Sequence, residues 1–291
     1  MIYTEHAYAK INLYLNVLGR REDGYHDLAT VMQTVSLADG IALEFPEEGE
    51  GITLTCSDET LPTDRTNLVC RAIEAYYEAA GREMPAVSVA IEKKIPVGAG
   101  LAGGSADAAA VLRILNKASD APLDDNVLLA VAAKIGADVP FCLRGGTAYC
   151  RGIGEKITAC PALPACQIVI AVPDETVATP AAYKALDEAY PDAFPDKEET
   201  YEAMMLAIAD KNIGGIAANL FNIFEETALP RSKKCREIKR VLTDLGAGGV
   251  LMSGSGPAVY GIFTDERKAT VAASILSAFG YKTFRTTPVK P

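Results

Sequence analysis

Pro96-Val97-Gly98-Ala99-Gly100-Leu101-Ala102-Gly103-Gly104-Ser105 separates a strand-like segment from a helical one. Upstream, Val87 to Ile91 reads as a strand. Downstream, Ala108, Val111, Leu112 and Leu115 recur at helical spacing, which predicts a helix from about Ser105 to Lys117. Clustered glycines let a backbone approach a ligand closely, and the unpaired N–H groups and positive dipole end of the following helix favour an anion. One glycine here would answer only to the φ of a tight turn. Gly98, Gly100, Gly103 and Gly104 together, ahead of a helix, point to phosphate.

Two better-known phosphate loops do not fit. Gly98-Ala-Gly100-Leu-Ala-Gly103 satisfies G-x-G-x-x-G, but a dinucleotide fold also needs a second strand ending in an acidic residue roughly 20 residues on. Here the helix runs instead into Ser119-Asp120-Ala-Pro-Leu-Asp-Asp and a further helix from about Asp125 to Ile135. A Walker loop is excluded because the chain has no Gly-Lys dipeptide.

Working back to the amino terminus, Tyr8 to Val17 alternates, with Ala9, Ile11, Leu13, Leu15 and Val17 on one face. Lys10, Asn12, Tyr14 and Asn16 share the other, which reads as a wet sheet surface. Gly19 to His26 is a loop, followed by strands near 31–37, 41–45 and 52–56. A helix spans Asn67 to Ala80 and stops at Gly81. After Ile135, Gly136 ends its helix, and Pro140 is expected to hold Ala137-Asp138-Val139 extended. Pro161 and Pro164 mark a domain boundary near residue 160, giving domains 1–160 and 161–291. The second part reads strand, several helices, two strands joined by Ser253-Gly-Ser-Gly-Pro257, a helix from about Glu266 to Phe279 and a last strand from Tyr281. Strands and helices mix without strict βαβ alternation, so the class is α+β.

The 291 residues carry 28 Lys+Arg against 38 Asp+Glu, and a net charge of −10 repels nucleic acid and anionic membranes. Seven Cys without C-x-x-C spacing, and only His6 and His26 beside them, form no metal site and suit a reducing cytoplasm. Met1-Ile-Tyr-Thr-Glu-His lacks the basic and apolar regions of a secretory signal, and the longest charge-free stretch, 245–264, is broken by Gly and Pro. The expectation is a soluble cytoplasmic protein.

Pro96 to Ser105 with Ala106-Asp107-Ala-Ala resembles the phosphate motif of the GHMP small-molecule kinases. Ser253-Gly-Ser-Gly-Pro-Ala resembles their third, glycine-rich motif, so the likeness spans Ala9 to about Phe263. Ala9-Lys10-Ile-Asn12, Arg21-Glu-Asp23-Gly24-Tyr25-His26 and Gly136-Ala-Asp138-Val-Pro140-Phe are similar to the branch that phosphorylates a cytidine diphosphate sugar alcohol. The resemblance implies an amino-terminal ATP-binding GHMP domain and a ferredoxin-like carboxy-terminal one. It further implies ATP and Mg²⁺ as cofactors, a small-molecule substrate, and a monomer or homodimer.

Residue roles follow from the same likeness. Asp138 would accept the proton of the attacking hydroxyl, and Lys10 would hold that carboxylate ionised and orient the reacting groups. Taken alone, Asp138 is an acidic loop residue and Lys10 a lysine on a wet strand. Pro96, Val97, Gly98, Ala99, Gly100, Leu101, Ala102, Gly103, Gly104, Ser105 and Ala106 would cradle ATP, with Gly100 leaving space for phosphate. Asn67, Leu68 and Lys93 would lie on the adenine side, although a helix N-cap also explains Asn67. Ser105 is a candidate donor to Mg²⁺ or phosphate, or else a helix cap; Asp107 would complement the helix dipole. Asn12 would touch the acceptor, Tyr25 and His26 would read its cytosine, and Thr179 and Tyr183 would close a sandwich opposite Tyr25. Lys10, Lys93 and Arg20 or Arg21 would join Mg²⁺ in supplying positive potential. Alternatives are a homoserine or mevalonate type of kinase, for which Tyr25-His26 has no use, and a non-catalytic nucleotide or sugar binder.

Overall fold

Strands and helices interleave along residues 1–290, the residues described by the computed structural model. In chain order they are β1 (Ile2–Arg20), β2 (His26–Glu44), β3 (Ile52–Cys56), α1 (Leu68–Ala80), β4 (Val87–Glu92), α2 (Gly103–Ala118), α3 (Asp125–Ile135), α4 (Val139–Arg144), β5 (Thr147–Gly152), β6 (Lys156–Ala159) and β7 (Gln167–Val172). There follow α5 (Thr179–Ala189), α6 (Glu198–Ala209), α7 (Ile213–Ala218), β8 (Phe221–Asn222), α8 (Glu225–Ala228), α9 (Lys233–Asp244), β9 (Gly249–Met252), β10 (Val259–Phe263), α10 (Glu266–Ala278) and β11 (Lys282–Thr286). The α+β class holds. Contacts divide the chain into one unit of Met1–Ala9, Leu37–Val97 and Ala102–Arg144 and another of Lys10–Ser36, Gly98–Leu101 and Gly145 onward. This division crosses the boundary expected near residue 160. The cause is that β1 and β2, each 19 residues against a usual strand of about 5–6, contribute to both units.

In the first unit β3 pairs parallel with β4, Thr53 opposite Ser88, and β4 pairs antiparallel with the far end of β2, Ile41 opposite Ile91. A parallel pair needs a crossover, and α1 supplies it. Asn67 caps α1 by accepting from Val69 N at 2.9 Å, and Gly81 ends it at φ 62°, a left-handed turn that glycine adopts without penalty. The buried face of α1, with Ile73 and Tyr76, packs on α2, whose Ala106, Ala108, Ala109 and Ala110 are small enough for close approach. Ile73, Val111 and Leu112 have no exposed surface, and each such side chain contributes about 1.5–3 kcal/mol by burial.

Two boundaries in this unit differ from expectation. Helix α2 begins at Gly103, after Ala102 in the left-handed region at φ 58° with no side-chain cap, so Ser105 lies in the first turn and is not the cap. Residues 139–144 form a helix where an extended exit was expected. Pro140 sits in the first turn of α4, where its missing N–H needs no partner, and the Asp138 carbonyl accepts from Cys142 N at 3.0 Å.

In the second unit β2 pairs antiparallel with β5, Thr30 opposite Cys150; β5 pairs with β6; and β1 takes β8 as a short parallel partner at Tyr14 and Leu15. A separate antiparallel sheet has the order β11-β7-β10-β9. Counted along the chain this is fourth, first, third, second, with helices between first and second and between third and fourth, the ferredoxin-like arrangement. Its core joins Val169 of β7 and Phe263 of β10 to Ile238 and Leu242 of α9 and Leu276 of α10. One strand reading is corrected. Lys10, Asn12, Tyr14 and Asn16 are 5%, 3%, 1% and 1% exposed, so the polar face of β1 is covered and not wet.

Candidate active site

Burying Lys10 and Asn12 is costly unless their polar atoms are satisfied. On β1 a directed chain meets that demand: Lys10 Nζ donates to Asn12 Oδ1 at 2.8 Å, Asn12 Nδ2 to Thr30 Oγ1 at 2.8 Å, and Thr30 Oγ1 to the Tyr14 carbonyl at 2.7 Å. The acceptance from Lys10 fixes which end of the Asn12 amide faces it. The Asn12 carbonyl accepts from the fully buried Tyr260 hydroxyl at 2.8 Å, anchoring this segment to β10.

Residues 98–101 belong to the same unit and are tied to the β9–β10 connection. Ser253 Oγ donates to the Gly100 carbonyl at 2.9 Å, and Ala258 N to the Ala99 carbonyl at 3.1 Å. Gly100 has φ 78°, and a Cβ there would overlap the Ser253 carbonyl oxygen. Gly254 faces it in turn, with a would-be Cβ 3.2 Å from Gly100 Cα. Gly100 is therefore required by backbone-to-backbone packing, which corrects its reading as space for phosphate. Gly98, at φ 66°, has open space on its Cα and remains suited to a ligand's approach.

The expected base reader is also in this unit. Arg21 N donates to the Tyr25 carbonyl at 2.9 Å, closing the loop, and Tyr25 stands 60% exposed at its edge. His26 Nε2 lies 3.0 Å from Asp187 Oδ1, and the imidazole stacks on Tyr183 with ring centroids 4.6 Å apart. Tyr183 thus presents its ring to His26, where a ring facing Tyr25 was expected. Arg20 donates to Asp187 at 2.7 Å and lies over the Phe194 ring at 4.8 Å; Arg21 pairs with Asp23 and Asp27. Both guanidiniums are thereby neutralised locally, against the expectation that they supply positive potential. Burial raises the Asp187 carboxyl, but bonds from His26 and Arg20 outweigh it and hold the group below its usual range. Thr179 is the first residue of α5, its hydroxyl 3.1 Å from that of Ser255.

In the first unit the N–H groups of Gly103, Gly104 and Ser105 lie in the first turn of α2, where no intrahelical acceptor precedes them. A Cβ on Gly104 would meet only Leu68 Cδ1, at 3.7 Å, so the surface beside that residue is open. Asn67 serves as the α1 cap, and Leu68 follows it as the first helical residue. Asp138 is half-buried and immediately precedes α4, its carbonyl closing that helix's first turn.

Lys93 departs most from expectation. Its side chain is 5% exposed, and its ammonium pairs with Asp39 Oδ2 and, at 2.8 Å, with Asp107 Oδ2. Asp39 is fully buried, and its Oδ1 also accepts from Ile95 N at 2.8 Å. Burial alone would lower the Lys93 pKa, but the two carboxylates raise it; burial pushes Asp107 up to about 7 against the pull of Lys93. Asp107 belongs to the second turn of α2 and serves this ion triad, not the helix dipole. A neutralised Lys93 is neither an adenine-side cation nor a source of positive potential. Among the described residues, no three His, Cys, Asp or Glu gather as metal ligands.

Asp39, Asn222, Thr30 and Asp187 were not foreseen. Asn222 donates to the Met252 and Gly254 carbonyls at 2.7 and 2.8 Å, holding the β9–β10 connection. Each lies far along the chain from its partner, and none sits in a recognisable motif.

The family model described as GHMP kinases N terminal domain matches residues 67–146, and that described as GHMP kinases C terminal matches residues 204–282. The chain is 46% identical over 273 residues, 94% of its length and 92% of the relative's, to the 4-diphosphocytidyl-2-C-methyl-D-erythritol kinase of Caldicellulosiruptor saccharolyticus. It is 40% identical, over 93% of its length and 89% of the relative's, to the protein of that name from Gloeobacter violaceus. A crystal structure of 4-(cytidine 5'-diphospho)-2C-methyl-D-erythritol kinase superposes with a TM-score of 0.83 at 37% identity, covering 99% of this chain and 100% of that one. The homoserine kinase of Cytophaga hutchinsonii shares the fold, with a TM-score of 0.74 at 20% identity over 98% of this chain and 95% of its own. With these relatives, a ferredoxin-like second sheet and a glycine loop leading into α2, the chain belongs to the GHMP kinases, in the 4-diphosphocytidyl-2-C-methyl-D-erythritol kinase family.

Proposed function

We propose that this chain transfers the γ-phosphoryl group of ATP to the 2-hydroxyl of 4-diphosphocytidyl-2-C-methyl-D-erythritol, giving the 2-phosphate and ADP. The reaction is a step of the non-mevalonate route to isoprenoid precursors. The observation that carries the reading is 46% identity to a relative of that name over 94% of the chain. Lys10, Asn12, Tyr25-His26, residues 96–106 and Asp138 accompany it as the family's motifs.

Phosphoryl transfer has a loose transition state, so the protein's task is alignment and charge stabilisation. The open backbone at Gly98 and the amides of Gly103, Gly104 and Ser105 suit the phosphates of ATP, which supplies the group transferred. Asp138 accepts the hydroxyl proton as the new P–O bond forms. Lys10, oriented through Asn12 and Thr30, stabilises negative charge on the reacting groups. Tyr25 stacks on cytosine, and His26, oriented by Asp187, hydrogen-bonds to the base edge. Among the described residues no three His, Cys, Asp or Glu gather for Mg²⁺, so Ser105 in the first turn of α2 is the side chain that would hold it, and the ion would supply charge stabilisation.

An ADP-release assay over a panel of acceptors tests the reading. Turnover confined to the cytidine diphosphate sugar alcohol is expected. Equal or faster turnover of homoserine or mevalonate, or no turnover with any acceptor, would overturn it.

A further inference from the structure

A buried Asp–Lys–Asp triad is an expensive way to fill a core, since two carboxylates and an ammonium must all leave water. This one joins three segments distant in sequence: Asp39 in β2, Lys93 just beyond β4, and Asp107 in α2. Asp39 also accepts from the backbone amides of Lys94 and Ile95, so the exit from β4 is held at three points, one through a side chain and two through amides. Lys93 N is fixed in turn by Ser57 Oγ at 2.8 Å. The first residue of α2 rests against the same group, because a Cβ on Gly103 would stand 2.9 Å from Lys93 Nζ and 3.1 Å from Ile95 Cγ2. Asp107 Oδ1 is buried with no hydrogen-bond partner, so packing stability alone does not account for a carboxylate here. The triad does fix where the first two turns of α2 lie relative to β4, and those turns carry the Gly103, Gly104 and Ser105 amides.

We propose that Lys93 and Asp107, held by Asp39, are positioning residues for the nucleotide: they set the α2 amides in place for the phosphates of ATP without touching it. This rests on the assignment of ATP to residues 96–106. A displacement of the amides by about 1 Å costs phosphate contacts directly, and misplacements of that size are worth up to about 10²-fold in a well-aligned site.

The test uses the full chain and ATP itself. Asp107→Leu keeps the branched shape and removes the acceptor for Lys93; Asp107→Asn keeps an acceptor there. Direct ATP titration and steady-state kinetics are measured for both, with thermal melts to establish folding. In Asp107→Leu the ATP Kd and KM are expected to rise about tenfold or more, with the acceptor KM unchanged, and Asp107→Asn to restore most of the loss. A folded Asp107→Leu protein with wild-type ATP affinity would overturn the proposal, as would equal losses for ATP and acceptor. If Asp107→Leu does not fold, Lys93→Met combined with Asp107→Asn carries the same comparison, and wild-type ATP affinity in that protein is equally fatal. Failure of the wild-type chain to bind ATP would refute the assignment of the loop instead.

Discussion

Replacing Gly100 by alanine is expected to damage the fold before it damages nucleotide binding. The residue has φ 78°, where a side chain costs about 1–2 kcal/mol. The new methyl group would also overlap the Ser253 carbonyl, a backbone atom that cannot swing aside as a side-chain end would. Overpacking of this kind costs about 1–3 kcal/mol. Moving Ser253 away strains its own bond to the Gly100 carbonyl and the neighbouring one from Ala258 to Ala99. The sum is about 2–5 kcal/mol, and for a chain of this size each kcal/mol lowers Tm by about 2–4 °C, so a drop of roughly 4–20 °C is expected. Gly104→Ala is the control. Its methyl would lie 3.7 Å from Leu68 Cδ1 in ordinary contact, and alanine in place of glycine in a helix gains up to about 1 kcal/mol. Thermal melts of the two variants, followed by circular dichroism, decide the matter. A Gly100→Ala protein melting within about 2 °C of wild type would refute the packing argument and return Gly100 to the ligand.

Asp138→Asn should lower kcat by about 10²–10⁴-fold with substrate binding retained, and combining it with Lys10→Met should cost far less than the product of the separate losses; multiplicative losses in the kinetics would show separate roles. Tyr25→Ala should weaken the cytidine substrate by about 1–3 kcal/mol with ATP affinity and Tm unchanged, because the ring is exposed, whereas His26→Ala should also lower Tm by breaking the Asp187 bond and the Tyr183 stack. Isothermal titration of each substrate distinguishes these, and parallel losses for ATP would count against the base reader. Because burial raises Asp107 from 3.8 to about 7, the folded chain holds that proton more tightly than the unfolded one, so stability should fall as pH rises between about 4 and 7 and level off above. Asp107→Asn should flatten that part of the urea-midpoint profile, and an unaltered slope would show that another group titrates there.

Local order was well written into the chain. Asn67 and Gly81 bracket α1, Gly136 follows α3, and the apolar run at 167–172 is β7, because caps, glycine stops and periodicity act within a few residues. The face of β1 was misread for the complementary reason. Alternation shows that Lys10 and Asn12 point away from Ile11, but not that distant segments cover them. Pro140 in isolation reads as holding Val139 extended, because only the following turns reveal that it stands at a helix start. Lys93 illustrates the same limit at the site. Its motif position suggested a ligand contact, while the carboxylates that neutralise it lie 54 and 14 residues away.

The two strands of 19 residues have a consequence for how the molecule is inherited and made. The unit that holds the ferredoxin-like sheet also needs Lys10–Ser36, which supplies the partners of β5 at Leu28 to Gln33 and of β8 at Tyr14 and Leu15. No single cut of the polypeptide yields two self-sufficient pieces, so recombination at a midpoint would leave either product with unpaired strands. On the ribosome, β2 must wait more than a hundred residues for β5, and closing loops of that length is slow. Acquisition of native structure by the second unit is therefore tied to completion of most of the chain.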